Sequence, residues 1–149
     1  MNQEVVIIVA EDDEGHASLI KRNLKRAGIN NRMIFFTDGQ AVLDFLLREG
    51  EGPHREAGVA YMLLLDIRMP KVDGMEVLKR IKNDLEVRKM PVVMISTTDD
   101  PRDIARCHAL GCSSYITKPV EYDNFIETIR QLGLYLLVVE VPRINGRED

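Results

Sequence analysis

An apolar run that ends in a carboxylate constrains this chain most strongly. Residues Tyr61–Leu65 are followed directly by Asp66, and Pro70 marks a turn shortly afterwards. A short apolar run closed by a charge and a turn predicts a strand that is buried on both faces. Such strands belong to open α/β sheets, which bind their ligands at the carboxyl ends of the strands. Asp66 is therefore predicted to lie at the functional edge of a sheet.

Strand-like and helix-like segments alternate along the whole chain. The predicted strands are Val5–Ala10, Arg32–Phe36, Tyr61–Asp66, Pro91–Ser96 and Ser113–Thr117. The predicted helices cover about residues 15–27, 39–48, 73–85, 101–110 and 121–132. Five successive βα units predict an α/β fold with a doubly wound, five-stranded parallel sheet. Short right-handed crossovers favour the flavodoxin-like strand order 2-1-3-4-5, which makes the first and third strands neighbours.

The first predicted strand also ends in acids. Glu11, Asp12 and Asp13 follow Ala10, so the strand order brings them to the same edge as Asp66. Carboxylates this close repel one another unless a cation holds them together. Carboxylates from Asp12 and Asp66, with the main-chain carbonyl of Arg68, are the oxygen ligands that Mg²⁺ prefers. The sequence therefore predicts a magnesium site.

Two further strands end in groups that suit phosphoryl chemistry. Ser96 closes the fourth strand and Lys118 follows the fifth. A carboxylate held on a metal can attack a phosphoryl group, and an ammonium neutralises charge on the phosphoryl oxygens. Each residue alone is equally well explained as a polar group on a solvated rim. The combination favours formation of an aspartyl phosphate on Asp66.

Composition narrows the function classes. The chain has 149 residues, a net charge of -4 and a pI of about 5.4, which disfavours nucleic-acid binding. The first residues lack the pattern of a signal peptide, and no apolar run reaches membrane-spanning length, so we expect a cytoplasmic protein without a membrane partner. Cys107 and Cys112 have neither CxxC nor metal-site spacing. They are predicted to be packing thiols, with redox sensing as the alternative.

The motifs together resemble the receiver domain of two-component response regulators, the CheY class. The matching segments are Ala10–Asp13, Leu65–Pro70 with Asp73 and Gly74, Pro91–Ser96 and Tyr115–Pro119. They occur in the order and at the spacing typical of that family, and the resemblance covers about residues 4–133.

The resemblance implies a role for each acidic residue. Asp66 would be the phosphoacceptor and a metal ligand, and Asp12 would bind Mg²⁺ directly. Glu11 would act on the metal through water, and Arg68 would supply its backbone carbonyl. Asp13 is a weaker ligand candidate, because it can instead cap the first helix.

The resemblance also implies which residues respond to phosphorylation. Ser96 would be the hydroxyl switch residue, and Lys118 the lysine that contacts the phosphoryl group. Tyr115 would be the aromatic side chain whose rotamer follows phosphorylation, although it can also be a packing residue. The peptide bond from Lys118 to Pro119 would be cis.

Three features are unusual for the family: the long Glu49–Gly58 loop, the Ser96–Asp100 run, and Gly15 with His16 at the start of the first helix. With a chain that stops soon after the receiver, they resemble the stand-alone receivers of phytochrome-type histidine kinases. His16 is predicted either to contact the acidic site or a kinase, or to be a solvated helix-start residue.

The predicted receiver domain covers residues 1–133. Residues 134–149 are predicted to form a separate tail. The tail either extends the last helix and then covers the domain's own core, or forms an extended arm. Val138–Val141 is rich in β-branched residues and precedes Pro142, which favours a strand. Because an uncovered apolar strand promotes aggregation, we expect a homodimer through the last helix and the tail.

The leading hypothesis is a single-domain response regulator that accepts a phosphoryl group on Asp66 from a sensor histidine kinase. It would be a signalling protein that catalyses at most its own phosphorylation and dephosphorylation. The alternative is a phosphotransfer shuttle or phosphate sink within a multi-step phosphorelay. A magnesium phosphohydrolase is disfavoured because Arg68 stands where that class places a second acid. A flavin carrier is disfavoured because Glu11, Asp12 and Asp13 would repel its phosphate.

Overall fold

Strands and helices alternate through residues 1–146, which the computed structural model describes. The strands are β1 (Val6–Ala10), β2 (Met33–Phe36), β3 (Val59–Leu65), β4 (Val92–Ser96), β5 (Ser114–Thr117) and β6 (Arg143–Ile144). The helices are α1 (Glu14–Arg26), α2 (Gly39–Leu47), α3 (Gly74–Lys82), α4 (Pro101–Leu110) and α5 (Tyr122–Val138).

Strands β1 to β5 form one parallel sheet in the order β2-β1-β3-β4-β5. The predicted α/β fold and strand order are therefore confirmed. The register pairs Ala10 with Leu65, so the acids that follow β1 and β3 leave the sheet at the same level. Ser96 pairs with Thr117 in the same way, which places Lys118 next to the end of β4.

Two apolar layers cover the two faces of the sheet. Helices α1 and α5 pack on one face, where Ile20, Leu24 and Ile129 are buried. Helices α2, α3 and α4 cover the other face. Because β1 and β3 are buried on both faces, they contain almost only apolar residues, as is typical of central parallel strands.

Aspartate side chains start four of the five helices. Each accepts a hydrogen bond from a backbone N–H in the first turn; these residues are Asp13, Asp38, Asp73 and Asp100. Such caps satisfy N–H groups that have no partner inside the helix. The caps at Asp13 and Asp73 matter for function, because they fix the starts of the two helices that follow the acid-bearing strand ends.

Helix α3 is shorter than predicted. It ends at Lys82, and Leu85, which we expected on its apolar face, is 74% exposed. The cause is Asp84, whose side chain accepts hydrogen bonds from the backbone of Glu86 and Val87 and starts a separate 3₁₀ turn. A side chain that caps a new turn competes with continuation of the helix.

The end of the described chain folds back onto its own domain. Helix α5 continues past residue 133 to Val138, so the predicted boundary at residue 133 lies inside a helix. After an extended segment, β6 pairs antiparallel with the start of β3, and Gly58 N–H donates to the Ile144 carbonyl at 2.8 Å. The described part of the tail thus agrees with the first of the two predicted alternatives, in which it extends the last helix and then covers the domain's own core.

The cis prolyl bond also differs from expectation. Among residues 1–146 the cis peptide bond lies between Gly52 and Pro53, so Lys118–Pro119 is trans, the ordinary form of such a bond. No helix in this part of the chain is both long enough and apolar enough to cross a membrane.

One residue of the tail, Ile144, is expected to contribute strongly to the free energy of unfolding. Ile144 is fully buried in the core layer beneath α2 and α3. We expect Ile144→Ala to lower the free energy of unfolding by about 2–4 kcal/mol, because it removes buried apolar surface and leaves a cavity. Val120→Ala is the control, since the Val120 side chain is fully exposed; its effect should stay within about 0.5 kcal/mol. Equal denaturation midpoints for the two variants would contradict the packing of β6.

Candidate functional site

Three carboxylates meet where β1 and β3 end. One oxygen each from Glu11, Asp12 and Asp66 lies within 4.8 Å of the others. Glu11 and Asp66 are buried, whereas Asp12 is exposed at the rim. A set of hard oxygen ligands with one solvent-facing member fits a divalent cation that keeps part of its water shell. These are three of the acids that the sequence predicted as ligands.

Asp13 lies outside this cluster. Its carboxylate caps α1 by accepting from the His16 backbone N–H at 3.0 Å. Chiefly that hydrogen bond, and to a smaller extent the nearby His16 side chain, lower the pKa of Asp13. Its position therefore agrees with the capping role rather than with metal ligation.

Lys118 connects the acids from the opposite side of the site. Its Nζ donates to Asp66 Oδ2 at 2.9 Å and to Glu11 Oε1. The ammonium is almost completely buried, and the Lys118 backbone N–H donates to the Ser96 carbonyl at 2.7 Å, which holds the end of β5 against β4. One ammonium facing three carboxylates leaves a formal excess of negative charge that a divalent cation can cancel.

Burial and neighbouring charges have opposing effects on the pKa values of Glu11 and Lys118. Burial raises the pKa of Glu11 to about 7, even though the Lys118 ammonium opposes the change. Burial alone would lower the pKa of Lys118, but hydrogen bonds and charge from Asp66 and Glu11 outweigh it and raise that pKa. The lysine is therefore a stable cation at neutral pH, whereas Glu11 changes its protonation state near neutral pH.

Glu11 should make the metal-free protein less stable as pH rises. Its native pKa, about 7, lies above its ordinary value of 4.5, so the folded chain binds more protons between these values. We expect this term to lower the free energy of unfolding by about 1–3 kcal/mol between pH 4.5 and about 7. Urea denaturation in EDTA at pH 5.5 and 7.5, compared with Glu11→Gln, measures it. The same pH dependence in both proteins would contradict the assignment.

Ser96 and Tyr115 both contact the loop that follows β4. Ser96 is fully buried, and its hydroxyl accepts from the Thr98 N–H at 3.3 Å. The Tyr115 hydroxyl donates to the Thr98 carbonyl at 2.7 Å. The two predicted switch residues are therefore linked through one residue of the loop between β4 and α4.

The loop after β3 is held close to the site by a glycine. The Asp66 N–H donates to the Ala10 carbonyl at 3.1 Å, and the Gly74 N–H donates to the Ile67 carbonyl at 2.6 Å. A Cβ on Gly74 would lie 2.8 Å from Ile67 Cα and closer still to the Asp66 carbonyl oxygen. Only glycine permits this approach, a reason for Gly74 that the sequence motif did not supply. The Arg68 N–H lies 3.4 Å from Asp66 Oδ1, and the Arg68 carbonyl stays a predicted ligand.

One contact in the site was only an open possibility from the sequence. His16 Nδ1 lies 3.2 Å from Lys118 Nζ, on the first turn of α1. Sequence spacing places His16 near the acidic rim, but nothing in it specifies a contact with a lysine that is 102 residues away. The helix cap at Asp13 was the local signal, because it determines which way the first turn of α1 faces.

Cys107 and Cys112 are free thiols buried in the core. Burial raises the pKa of Cys107 to about 11 and also raises that of Cys112. Protonated buried thiols are poor nucleophiles, so their environment agrees with packing.

A carboxylate cluster, a buried lysine and a buried hydroxyl meet at the carboxyl ends of parallel strands, where open α/β sheets bind their ligands. Residues 7–130 match the family model of the response regulator receiver domain. The chain therefore belongs to this family, and the predicted resemblance is confirmed.

Related proteins cover nearly the whole chain. A receiver domain structure from Rhodospirillum rubrum is 47% identical, with a TM-score of 0.89, and the match covers 95% of this chain and 99% of that one. The probable methanogenesis regulatory protein FilR2 of Methanothrix harundinacea is 38% identical, over 89% of this chain and 83% of the relative. The phosphorylated cyanobacterial phytochrome response regulator RcpA is 28% identical, with a TM-score of 0.81, over 92% of this chain and 97% of that one.

Proposed function

We propose that this chain is a single-domain response regulator that accepts a phosphoryl group on Asp66 from a sensor histidine kinase in a Mg²⁺-dependent reaction. The observation that carries the proposal is the 2.9 Å contact between Lys118 Nζ and Asp66 Oδ2, beside the carboxylates of Glu11 and Asp12. Such a site combines a nucleophile, a fixed positive charge and oxygen ligands for a divalent ion.

Each residue of the site has a separate role in phosphoryl transfer. A carboxylate oxygen of Asp66 attacks the phosphorus of a phosphohistidine, the P–N bond breaks, and the imidazole leaves with the bonding electron pair. Lys118 faces the negative charge on the phosphoryl oxygens, and its burial strengthens that interaction. Bound Mg²⁺, held by Asp12, Asp66 and the Arg68 carbonyl with Glu11 acting through water, would reduce the repulsion between carboxylate and phosphoryl group.

The switch follows from the contacts of Ser96. Its hydroxyl is free to exchange the weak 3.3 Å contact with the Thr98 N–H for a phosphoryl oxygen. Because Tyr115 is hydrogen-bonded to the same residue, movement of Thr98 changes the position of the tyrosine ring. The altered surface would lie on α4, β5 and α5, where a partner protein can detect it.

Transfer from a phosphorylated histidine kinase tests this function. A kinase carrying labelled phosphohistidine is mixed with the chain and Mg²⁺, and the label is followed on both proteins. We expect label to leave the kinase and appear on this chain, and EDTA to prevent that transfer. Retention of label by every histidine kinase of the source genome would contradict the proposal.

The kinase is proposed to be a phytochrome-type photoreceptor. Support comes from the likeness to the phytochrome response regulator RcpA over 92% of this chain. A kinetic comparison decides between partners: transfer from a phytochrome-type kinase should be faster than from other histidine kinases at equal concentration. Faster transfer from a kinase of another sensor class would contradict this part of the proposal.

The chain is further proposed to form a homodimer through α5 and the segment after it. Four large apolar side chains near the end of α5 are partly exposed, namely Leu134, Tyr135, Leu137 and Val138. Beside them a groove of about 260 Å³ runs between α5 and the edge strand β5, lined by Ile116 and Leu132 among others. Apolar surface of this kind commonly marks an interface. Light scattering at micromolar concentration should give twice the mass of one chain; the mass of a monomer would contradict the dimer.

A further inference from the structure

The ammonium of Lys118 has three N–H donors, and the structure provides three acceptors. Two are the carboxylate oxygens Glu11 Oε1 and Asp66 Oδ2, and the third is His16 Nδ1 at 3.2 Å. Since Lys118 is only 4% exposed, water contributes little to its solvation. The imidazole therefore supplies the last of the three interactions that a buried ammonium requires.

His16 is held in place on two sides. Its backbone N–H donates to the capping carboxylate of Asp13 at 3.0 Å, which fixes the first turn of α1. Its ring packs edge-on against Phe125 of α5, with 5.2 Å between ring centroids and 77° between ring planes. A solvated side chain at the start of a helix would lack the ring contact with Phe125. The acceptor nitrogen is thus positioned by α1 and α5 together, although the side chain is 35% exposed.

The contact selects one form of the imidazole. Nδ1 can accept from the ammonium only when its lone pair is free, so the ring proton is on Nε2. The Oδ2 atom of Asp13 lies 4.0 Å from Nε2. A proton on Nδ1 would leave the ammonium without this acceptor, and the Glu11 Oε1 atom lies 3.6 Å from Nδ1, beyond ordinary hydrogen-bond distance.

We propose that His16 is a positioning residue for phosphoryl transfer to Asp66, acting by holding the ammonium of Lys118. This inference rests on the proposed phosphoacceptor function. Two of the three acceptors of Lys118 change when the site is used, because Asp66 becomes an acyl phosphate and Glu11 acts towards the metal. His16 is the acceptor that does not take part in either change. His16 therefore keeps the Lys118 ammonium near the incoming phosphoryl oxygens. Without His16, the ammonium would stay bound to Glu11 when Glu11 moves towards the metal.

Three substitutions separate positioning from packing. His16→Leu removes the acceptor, His16→Asn places an oxygen near the position of Nδ1, and His16→Gln places one near that of Nε2. Initial rates of phosphorylation by acetyl phosphate with Mg²⁺ are read by intact mass, and thermal unfolding checks that each variant is folded. We expect rates reduced about tenfold for Leu and Gln, and within about threefold of wild type for Asn.

A double-mutant cycle with Lys118→Ala is the second measurement. If His16 acts through the lysine, adding His16→Leu to Lys118→Ala should change the slow residual rate by less than about twofold. If the wild type is phosphorylated but the Leu, Gln and Asn variants react at equal rates, the positioning role is overturned and the proposed function stays intact. No adduct on the wild type would instead overturn the proposed function, and this inference with it.

Discussion

Asp66→Asn is expected to abolish phosphoryl uptake. The amide has the shape of the carboxylate but lacks its anionic oxygen, so the nucleophile is lost while the packing around a residue that is 8% exposed is kept. Lys118 keeps Glu11 and His16 as acceptors, so the site should remain assembled. Intact mass after incubation with acetyl phosphate and Mg²⁺ should show an adduct on the wild type and none on the variant.

Asp13→Asn is the matched control for that experiment. Asp13 lies at the same rim and belongs to the same acidic run, but its carboxylate caps α1 and lies outside the three-carboxylate cluster. Asparagine is also a good helix cap, so the variant should be folded and should take up phosphate at nearly the wild-type rate. Undiminished labelling of Asp66→Asn, or loss of labelling in Asp13→Asn alone, would contradict the assigned roles.

Gly74→Ala should be the most damaging conservative change to the fold of the site. The added Cβ would meet backbone atoms of Asp66 and Ile67 rather than flexible side chains, with Ile67 Cα only 2.8 Å away. The loop after β3 must then move, and the 2.6 Å hydrogen bond from Gly74 to Ile67 must lengthen. We expect a loss of about 3 kcal/mol or more in the free energy of unfolding, with a reduced rate of phosphoryl uptake in the fraction that folds.

Gly52→Ala serves as the comparison for Gly74→Ala. At Gly52 an added Cβ would come no nearer than 3.5 Å to His54 N, an ordinary van der Waals distance. Chemical denaturation of both variants, followed by phosphorylation under native conditions, separates stability from site geometry. Similar midpoints for the two variants would contradict the close approach of Gly74 to the end of β3.

Local pattern was enough to predict the fold and the acids. Apolar runs such as Tyr61–Leu65 indicate buried strands, and βα alternation limits the order in which strands can lie. Once β1 and β3 are neighbours, Glu11, Asp12 and Asp66 must converge, so the cluster follows from topology. Ser96 and Lys118 follow in the same way from the register of β4 and β5.

What the sequence did not predict depends on contacts between distant residues. The 3.2 Å approach of His16 to Lys118 joins the start of α1 to the end of β5, and local periodicity shows which face of a helix is buried but not which residue it meets. The pairing of Ile144 with Val59 likewise depends on a free stretch at the start of β3. The β-branched segment Val138–Val141 favoured an extended chain, and α5 does end at Val138, with Val139 in an extended conformation.

Chemical localisation of the phosphoryl group tests the central claim most directly. The chain is phosphorylated by acetyl phosphate with Mg²⁺ and reduced with borohydride, which converts an aspartyl phosphate to homoserine, and peptides are then sequenced by mass spectrometry. We predict homoserine at position 66, and at no other aspartate of the acidic site. Homoserine at Asp12 or Asp13, or a stable phosphate on Ser96 with Asp66 unchanged, would contradict the assignment of Asp66 as the phosphoacceptor.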